Sequence, residues 1–209
     1  IGTHHEPVWR HASPFEELRT RHQPHLSGSL VRPGPLAVNN GLWDTYRTAW
    51  PALHLWYPKM ASELLDAMLG QYRDGGWMAR WSAPGYLDLM LGTSSDAVFA
   101  DAAAHGVDFD QDLAYDSAMR NATTVSPHPR VGRKGHPAAL FTGVVDRSVE
   151  GGLGWALDNA NSDAALAAWS RRLTNERGHD PRAQEWAANA EWFTRRAARY
   201  RTHFDPRTG

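Results

Sequence analysis

The segment ASELLDAMLGQY, residues 61–72, constrains the fold more than any other part of the chain. Its larger apolar residues recur at positions i, i+3 and i+4, and they are Leu64, Leu65, Met68, Leu69 and Tyr72. This spacing places them on one face of an α-helix, which must pack against another element. The following RDGGW is expected to end the helix, with Gly75 as a left-handed cap.

Four further segments carry helix signals, and they are SSDAVFADAAAHG, DQDLAYDSAMRNAT and residues 149–173 and 181–203. In the first of these, Ser94 or Ser95 is the expected N-cap and Gly106 the expected stop. The final helix is expected to begin at Asp180–Pro181, because proline is favoured at the first helical position. A short helix is also predicted near residues 15–22.

Strand signals are scarce by comparison. The segment AALFTGVV is the one short candidate, and it lies within residues 123–145, whose prolines and glycines predict a long irregular loop. Helices joined by long loops indicate an array or toroid of α-hairpins. The chain is therefore predicted to be mainly α, with an irregular N-terminal segment at residues 1–38 and helices over residues 39–209.

Composition argues against several classes of function. The net charge is −1, from 22 basic and 23 acidic residues, and no long block of one sign suggests nucleic acid or an anionic membrane as a partner. No apolar run approaches the roughly 20 residues of a membrane span. The absence of cysteine excludes disulfides, thiolate metal ligands and a cysteine nucleophile.

Three common site motifs are also missing from the sequence. HHEPVWRH contains histidines and a glutamate, but not the H-E-x-x-H spacing of a helical zinc site. LSGSL and GTSSD do not match the G-x-S-x-G elbow of a serine nucleophile. DGGW and EGGLG lack the glycine spacing and the lysine of a phosphate-binding loop. The site must therefore be sought among other residue types.

Aromatic and charged residues cluster in NNGLWDTYRTAWPALHLWYP. Asp44 and Arg47 are three positions apart, so on a helix they face the same way. A surface ion pair is one interpretation, but the neighbouring Trp43 is unusual on a solvated face. The rest of the stretch is predicted to be a core helix, kinked or restarted near its first proline, with inward side chains from Trp50, Leu53 and Trp56.

Three other positions combine similar chemistry. Trp81 follows a double glycine in GGWMARW, Asp96 starts a helix in GTSSD, and Glu150 precedes glycines in SVEGGLGW. A pyranose ring has apolar C–H faces that stack on indole rings, and hydroxyls that bond to carboxylates. Taken singly, Asp96 is explained by helix capping and the tryptophans by core packing. Their recurrence together favours a carbohydrate-binding cleft.

Several of these motifs occur in a characteristic order, with W-D-T-[YF]-R in NNGLWDTYR, then G-G-W, then G-T-x-S-D, and later SVEGGLGWALDNANSDAALA and FDPRTG. Over about residues 36–209 the chain resembles the catalytic region of glycoside hydrolase family 92. The resemblance implies a secreted, calcium-dependent α-mannosidase, often exo-acting on α-1,2 linkages, that inverts anomeric configuration. Inversion requires two carboxyl groups roughly 6.5–9.5 Å apart.

In fold, the resemblance implies a β-sandwich followed by an (α/α) barrel of six helical hairpins, of which this chain is a part. The partners it implies are an α-mannoside glycan and the rest of the enzyme polypeptide. The residues it implies as substrate-binding are Trp43, Asp44 and Arg47 by the W-D-T-x-R match, Asp96 by G-T-x-S-D and Glu150 by S-x-E-G. Trp81 is a further candidate that would stack on the sugar or line its subsite.

The chain also departs from the family pattern. The family's general acid lies in a G-F-x-E-G-N-A-W-Q-Y motif after F-D-P-x-T-G, and its general base in G-N-D-D-x-G, and neither motif occurs here. We therefore expect both catalytic carboxylates and the calcium ligands to lie outside this chain, which by itself would be inactive. Two alternatives stay open: a non-catalytic helical module that binds carbohydrate or acts as a scaffold, and an (α/α)-barrel hydrolase that uses Asp96 and Glu150 as its carboxylate pair.

Overall fold

The structure is a computed structural model that describes residues 9–15 and 29–208. Its helices are α1 (Leu42–Thr45), α2 (Ala49–Trp56), α3 (Pro58–Gly75), α4 (Ser95–Ala104), α5 (Gln111–Thr123), α6 (Ala138–Thr142), α7 (Gly152–Glu176) and α8 (Ala183–Ala197), followed by a 3-10 helix (Ala198–His203). Its strands are β1 (Arg10–Ala12), β2 (Val31–Pro33), β3 (Trp81–Ser82) and β4 (Tyr86–Leu87). The helix predicted near residues 15–22 falls almost entirely outside the described residues. No helix in the described part of the chain is long and apolar enough to cross a membrane.

The long helices form three sequential hairpins. α2 packs against α3, α4 against α5, and α7 against α8. The first helices of the hairpins contact one another in the order α2, α4, α7. The second helices form another layer, in which α3 contacts α5 and α5 reaches α8 through Tyr115 and Trp186. The prediction of a mainly α, hairpin-based fold is confirmed, and the two layers are those of an (α/α) barrel.

One large hydrophobic core lies between these layers. The apolar face predicted for α3 contributes Leu65, Met68 and Leu69, all of which are buried. In α4 the sequence SDAVFADAAA is rich in alanine, whose small side chain allows α7 to pack closely against this helix. Large rings fill the remaining space, and Tyr115 meets Trp169 edge-on at 5.3 Å between ring centroids.

The C-terminal end of α3 differs from the prediction by one residue. The left-handed cap is Gly76, with φ of 76°, whereas Gly75 is the last helical residue. Gly75 is required for a different reason, because a Cβ atom there would overlap the hydroxyl of Tyr86. The double glycine therefore serves both a backbone turn and a close tertiary contact.

The aromatic stretch forms two helices, as predicted. α1 ends at Thr45 and α2 begins at Ala49, and Trp50 and Leu53 pack into or against the core. Trp56 is 69% exposed, so its predicted core position is wrong. The reason is helical geometry, since six positions after Trp50 correspond to a rotation of about 120° away from the buried face.

The prediction of a strand in AALFTGVV is also wrong. Ala138–Thr142 form α6, which ends at Gly143 with φ of 72°. A left-handed glycine is a common helix end, and it interrupts the alternation that a strand would need. The strands lie elsewhere, where β1 pairs with β2 and β3 pairs with β4, both in antiparallel register.

The β1–β2 pair belongs to the segment that was predicted to be irregular, residues 1–38. Phe15, beside β1, is buried with Trp77, Ala79, Tyr86 and Val131 in a small second core. The described part of the N-terminal segment is thus attached to the loop region around β3 and β4.

Candidate functional site

The side chains of Trp43 and Asp158 meet between α1 and α7. The Trp43 indole Nε1–H donates to Asp158 Oδ2 at 3.0 Å. The Arg47 guanidinium carbon lies 5.2 Å from the Trp43 ring centroid and 4.6 Å from that of Tyr46, within the range of cation–π attraction. Both rings are half-buried and Arg47 is exposed. These four residues, which we call the Trp43 platform, present aromatic and charged groups to solvent.

Asp158 was not predicted from the sequence. Partial burial raises its pKa, while the Trp43 hydrogen bond and the charge of Arg47 act to lower it. Asp158 shares one face of α7 with Gly151 and Gly154, at spacings of three and seven positions from Gly151. The sequence signal that could have identified Asp158 was its position on the same helical face as two glycines. Glycines on a helical face indicate that another chain segment packs closely there.

That segment is the loop before α4. A Cβ atom on Gly154 would lie 2.5 Å from Leu91 Cδ1, and one on Gly92 would lie 2.9 Å from Asp158 Cβ. The glycines therefore let the loop rest directly on α7. This contact fixes the loop beside the Trp43 platform.

Asp44 is exposed and takes no part in an ion pair or side-chain hydrogen bond within the described residues. The surface ion pair with Arg47 is therefore not formed, because the Arg47 guanidinium lies over the Trp43 and Tyr46 rings instead. The Thr48 hydroxyl donates to the Asp44 backbone carbonyl at 2.9 Å, so this bond does not involve the carboxylate. The Asp44 carboxylate remains available to an external donor.

Trp81 lies in β3 and is half-buried. Its indole packs flat against the backbone before α1, since a Cβ atom on Gly41 would lie 2.5 Å from two carbons of the ring. Gly41 and Trp81 are also joined by an isolated β-bridge. Trp81 is thus held next to the start of the helix that carries Trp43 and Asp44.

Asp96 is completely buried, with no exposed surface. Its carboxylate accepts hydrogen bonds from the Thr93 hydroxyl at 2.6 Å, the Asn121 amide at 2.9 Å and the Arg133 guanidinium at 3.1 Å. Burial raises the pKa of Asp96, while Arg133, Thr93 and Asn121 act to lower it. The structure therefore gives Asp96 an internal role in holding the start of α4.

Asp96 belongs to a larger buried network. Arg133 bridges Asp96 and Asp163, with 2.6 Å between Arg133 Nη1 and Asp163 Oδ1. Arg196 of α8 binds both oxygens of Asp163 at 2.5 Å and also donates to the Ala122 carbonyl. The network joins α4, α7, α8 and the loop after α5. Its charges are compensated inside the protein, as buried charges must be.

Glu150 is exposed and directly precedes Gly151, the left-handed residue at the start of α7. Leu91 of the loop before α4 lies against Gly151. Glu150 therefore borders the loop that also contacts Asp158. Because Asp96 is enclosed and Glu150 is exposed, the two do not form the open carboxylate pair that the alternative hydrolase hypothesis requires.

The described residues do not fit the calcium ion that the family resemblance implies. Calcium takes six to eight oxygen ligands. In the described part of the chain, the one group of three candidate ligands is His54, Asp101 and His105, and two of these offer imidazole nitrogen. We therefore derive no step of a reaction through calcium.

A cavity of about 950 Å³ lies between the N-terminal segment and the β3–β4 hairpin. It is lined by Phe15, Trp77, Tyr86, Arg120 and other residues of that region, and by none of the six predicted site residues. The cavity therefore does not support the carbohydrate site.

Hairpins stacked in two layers, with an aromatic and charged platform where α1 meets α7, are the arrangement expected of a part of an (α/α) barrel. The chain belongs to glycosyl hydrolase family 92, because the model of that family's catalytic domain matches residues 19–209. The structure is similar to that of a family GH92 inverting mannosidase from Bacteroides thetaiotaomicron, with a TM-score of 0.77 and 22% sequence identity. That match covers 96% of this chain and 24% of the mannosidase chain, so this chain spans about a quarter of its neighbour's length. No curated protein sequence is a significant match.

Proposed function

We propose that this chain forms one wall of the mannose-binding site in an inverting α-mannosidase. The observation that carries the proposal is the Trp43 platform, with the unpaired, exposed carboxylate of Asp44 beside it. Membership of glycosyl hydrolase family 92 and likeness to an inverting mannosidase support this assignment. The family resemblance further supports exo-action on α-1,2 linkages and secretion of the enzyme.

In this proposal the chain binds and orients the sugar. The Trp43 ring takes an apolar C–H face of the mannose, and the Asp44 carboxylate accepts hydrogen bonds from its hydroxyls. Arg47, held over two rings, donates to sugar oxygens. Trp81 and Glu150 extend the same wall, while Asp96 acts indirectly by fixing the loop before α4.

Proton transfer is assigned to other parts of the enzyme. An inverting glycosidase needs one carboxylic acid to protonate the leaving oxygen and one carboxylate to activate water on the opposite face of the ring. Neither of the family's two motifs for these groups occurs in the 209 residues. The chain described here therefore contributes affinity and orientation, which lower the barrier by positioning the substrate.

The test is Asp44→Asn in the complete enzyme, compared with Asp108→Asn. Asp108 is also exposed and forms no hydrogen bond or ion pair within the described residues, but it lies between α4 and α5. We expect Asp44→Asn to lower kcat/KM on an α-1,2-linked mannobioside by at least about tenfold, since asparagine lacks the carboxylate charge and one of its two acceptor oxygens. Asp108→Asn should leave it unchanged, and both should melt like the parent, as exposed substitutions usually do. Full activity in Asp44→Asn would contradict the proposal.

The non-catalytic alternative makes a different prediction for the same enzyme. A module that only binds carbohydrate would bind mannosides, with affinity reduced by Asp44→Asn, but would show no turnover in any variant. Release of mannose by the parent enzyme decides between the two.

A further inference from the structure

α2 and α4 are linked by His54, Asp101 and His105, which we call the His–Asp–His cluster. His54 Nδ1 lies 2.7 Å from Asp101 Oδ2, and His105 Nδ1 lies 3.4 Å from Asp101 Oδ1. One candidate ligand atom from each of the three residues lies within 4.8 Å of the other two. The cluster has no part in the proposed carbohydrate site.

We propose that the His–Asp–His cluster binds a divalent transition-metal ion of the zinc type. Two imidazole nitrogens and one carboxylate oxygen are a common ligand set for zinc, and nitrogen ligands disfavour calcium and magnesium. In a tetrahedral site with bonds of about 2.0 Å, neighbouring ligand atoms are about 3.3 Å apart. The two rings now contact different oxygens of the Asp101 carboxylate, His54 Nδ1 at 2.7 Å from Oδ2 and His105 Nδ1 at 3.4 Å from Oδ1, so this carboxylate lies between the two imidazoles.

Burial within the cluster suits a site that is rigid on one side and open on the other. The His54 side chain has no exposed surface, whereas those of Asp101 and His105 are 33% and 39% exposed. The His54 ring is fixed beside Trp50, with 5.9 Å between ring centroids. A metal ion can therefore approach from the side of Asp101 and His105, and water can occupy its fourth position.

Metal binding would replace the present hydrogen bonds of the two histidines. His54 Nε2 is buried without a partner in the described residues, so the polar contact of this ring is directed wholly at Asp101. His105 Nδ1 contacts the Asp101 backbone carbonyl at 2.9 Å, within one turn of α4. Because the His105 ring is exposed, it can rotate to offer a nitrogen to the ion.

The position of the cluster indicates a structural ion. His105 follows the last residue of α4, while the loop beside the Trp43 platform precedes the first, so α4 separates the two sites by about 15 Å. An ion bound by ligands from α2 and α4 would link two neighbouring helices of the layer that α2, α4 and α7 form. The ion would therefore stabilise the packing of one layer of the barrel.

The test is zinc binding by the complete, tag-free protein after treatment with a chelator. We expect saturable binding at this site and an increase in melting temperature with zinc but not with magnesium, since the ion binds the folded chain and not the separated helices. His105→Ala should weaken zinc affinity at least about tenfold and abolish the increase. His179→Ala removes another exposed histidine and should behave like the parent.

Two further measurements separate this site from other histidines. A double variant, His4→Ala with His5→Ala, removes the imidazole pair near the N-terminus and should bind zinc as the parent does. Cobalt added in place of zinc should give the visible absorption of a tetrahedral complex, which Asp101→Asn should lose. The proposal is overturned if the parent binds no zinc, or if His105→Ala and Asp101→Asn bind it as tightly as the parent.

Discussion

Trp43 and Asp158 are 115 positions apart in sequence, yet the indole N–H of one donates to the carboxylate of the other at 3.0 Å. This bond ties α1 to α7 and orients the ring over which Arg47 lies. It also gives the half-buried carboxylate of Asp158 a hydrogen-bond donor.

Trp43→Phe should therefore destabilise the protein while keeping a ring at the site. We expect the free energy of unfolding to fall by about 1–2 kcal/mol, because Asp158 loses a hydrogen bond at a partly buried position. Denaturant titration measures the loss, and Trp9→Phe, at a side chain that is 73% exposed, is the comparison. Equal effects of the two substitutions would show that the hydrogen bond contributes nothing.

Gly92→Ala should be costlier than Gly106→Ala. Both glycines have φ of 72°, so alanine is strained by about 1–2 kcal/mol at either position. At Gly92 the new Cβ would also lie 2.9 Å from Asp158 Cβ, whereas at Gly106 it meets nothing within 4 Å. We expect an additional loss of about 1–3 kcal/mol for Gly92→Ala, measured by denaturant unfolding. Similar losses at both positions would mean that the loop readily moves away from α7.

Arg133→Met should be among the most destabilising single changes in the chain. It leaves Asp96 and Asp163 buried, with Asp96 losing its ion-pair partner, and removing one member of such a network typically costs about 3–5 kcal/mol. Arg195→Met serves as the reference, because its pair with Glu191 is solvated and worth less than about 1 kcal/mol. A loss below about 1 kcal/mol for Arg133→Met would exclude a stabilising role for the bridge.

Stability should also fall on mild acidification because of His136. Burial and the charge of Arg133 lower the pKa of this histidine from 6.5 to about 4 in the folded protein. Between these values the unfolded chain binds a proton that the folded protein does not, so the free energy of unfolding decreases as the pH falls through this range. Above pH 6.5 the contribution is constant.

The measurement is the free energy of unfolding at pH 7 and at pH 5 for the parent, His136→Gln and His179→Gln. We expect His136→Gln to reduce the difference between the two pH values, and the exposed His179→Gln to preserve it. An unchanged difference in His136→Gln would assign the pH dependence to other groups.

The helices could be predicted from the sequence because their signals are local. The periodic face of α3 and the Asp110 side chain, which accepts from the Leu113 N–H at the start of α5, both act within a few residues. Predictions failed where a local pattern was compatible with two structures. Gly75 and Gly76 both suit a helix end, and the local sequence does not distinguish the left-handed Gly76 from Gly75, which stays helical and packs against the Tyr86 hydroxyl.

The residues of the candidate site also divide into those that the local sequence could identify and those whose environment depends on distant residues. Trp43, Asp44 and Arg47 could be selected because a tryptophan, an aspartate and an arginine in one turn are unusual on a solvated helix. Asp96 looked like a rim residue, and its burial follows from Arg133, which lies 37 positions away in a loop. Nothing local to either residue indicates that pairing.

By itself, then, the sequence determined which long segments are helical, that they pair as hairpins and that aromatic and charged residues cluster near the start of the first hairpin. Only the tertiary structure decided that Asp158 supports Trp43, that Asp96 is internal and that His54 meets Asp101. The physical reason is the sequence separation over which the interactions act. Helix periodicity and capping depend on neighbours within about one turn, whereas burial and charge pairing depend on which distant segments come together when the hairpin layers pack.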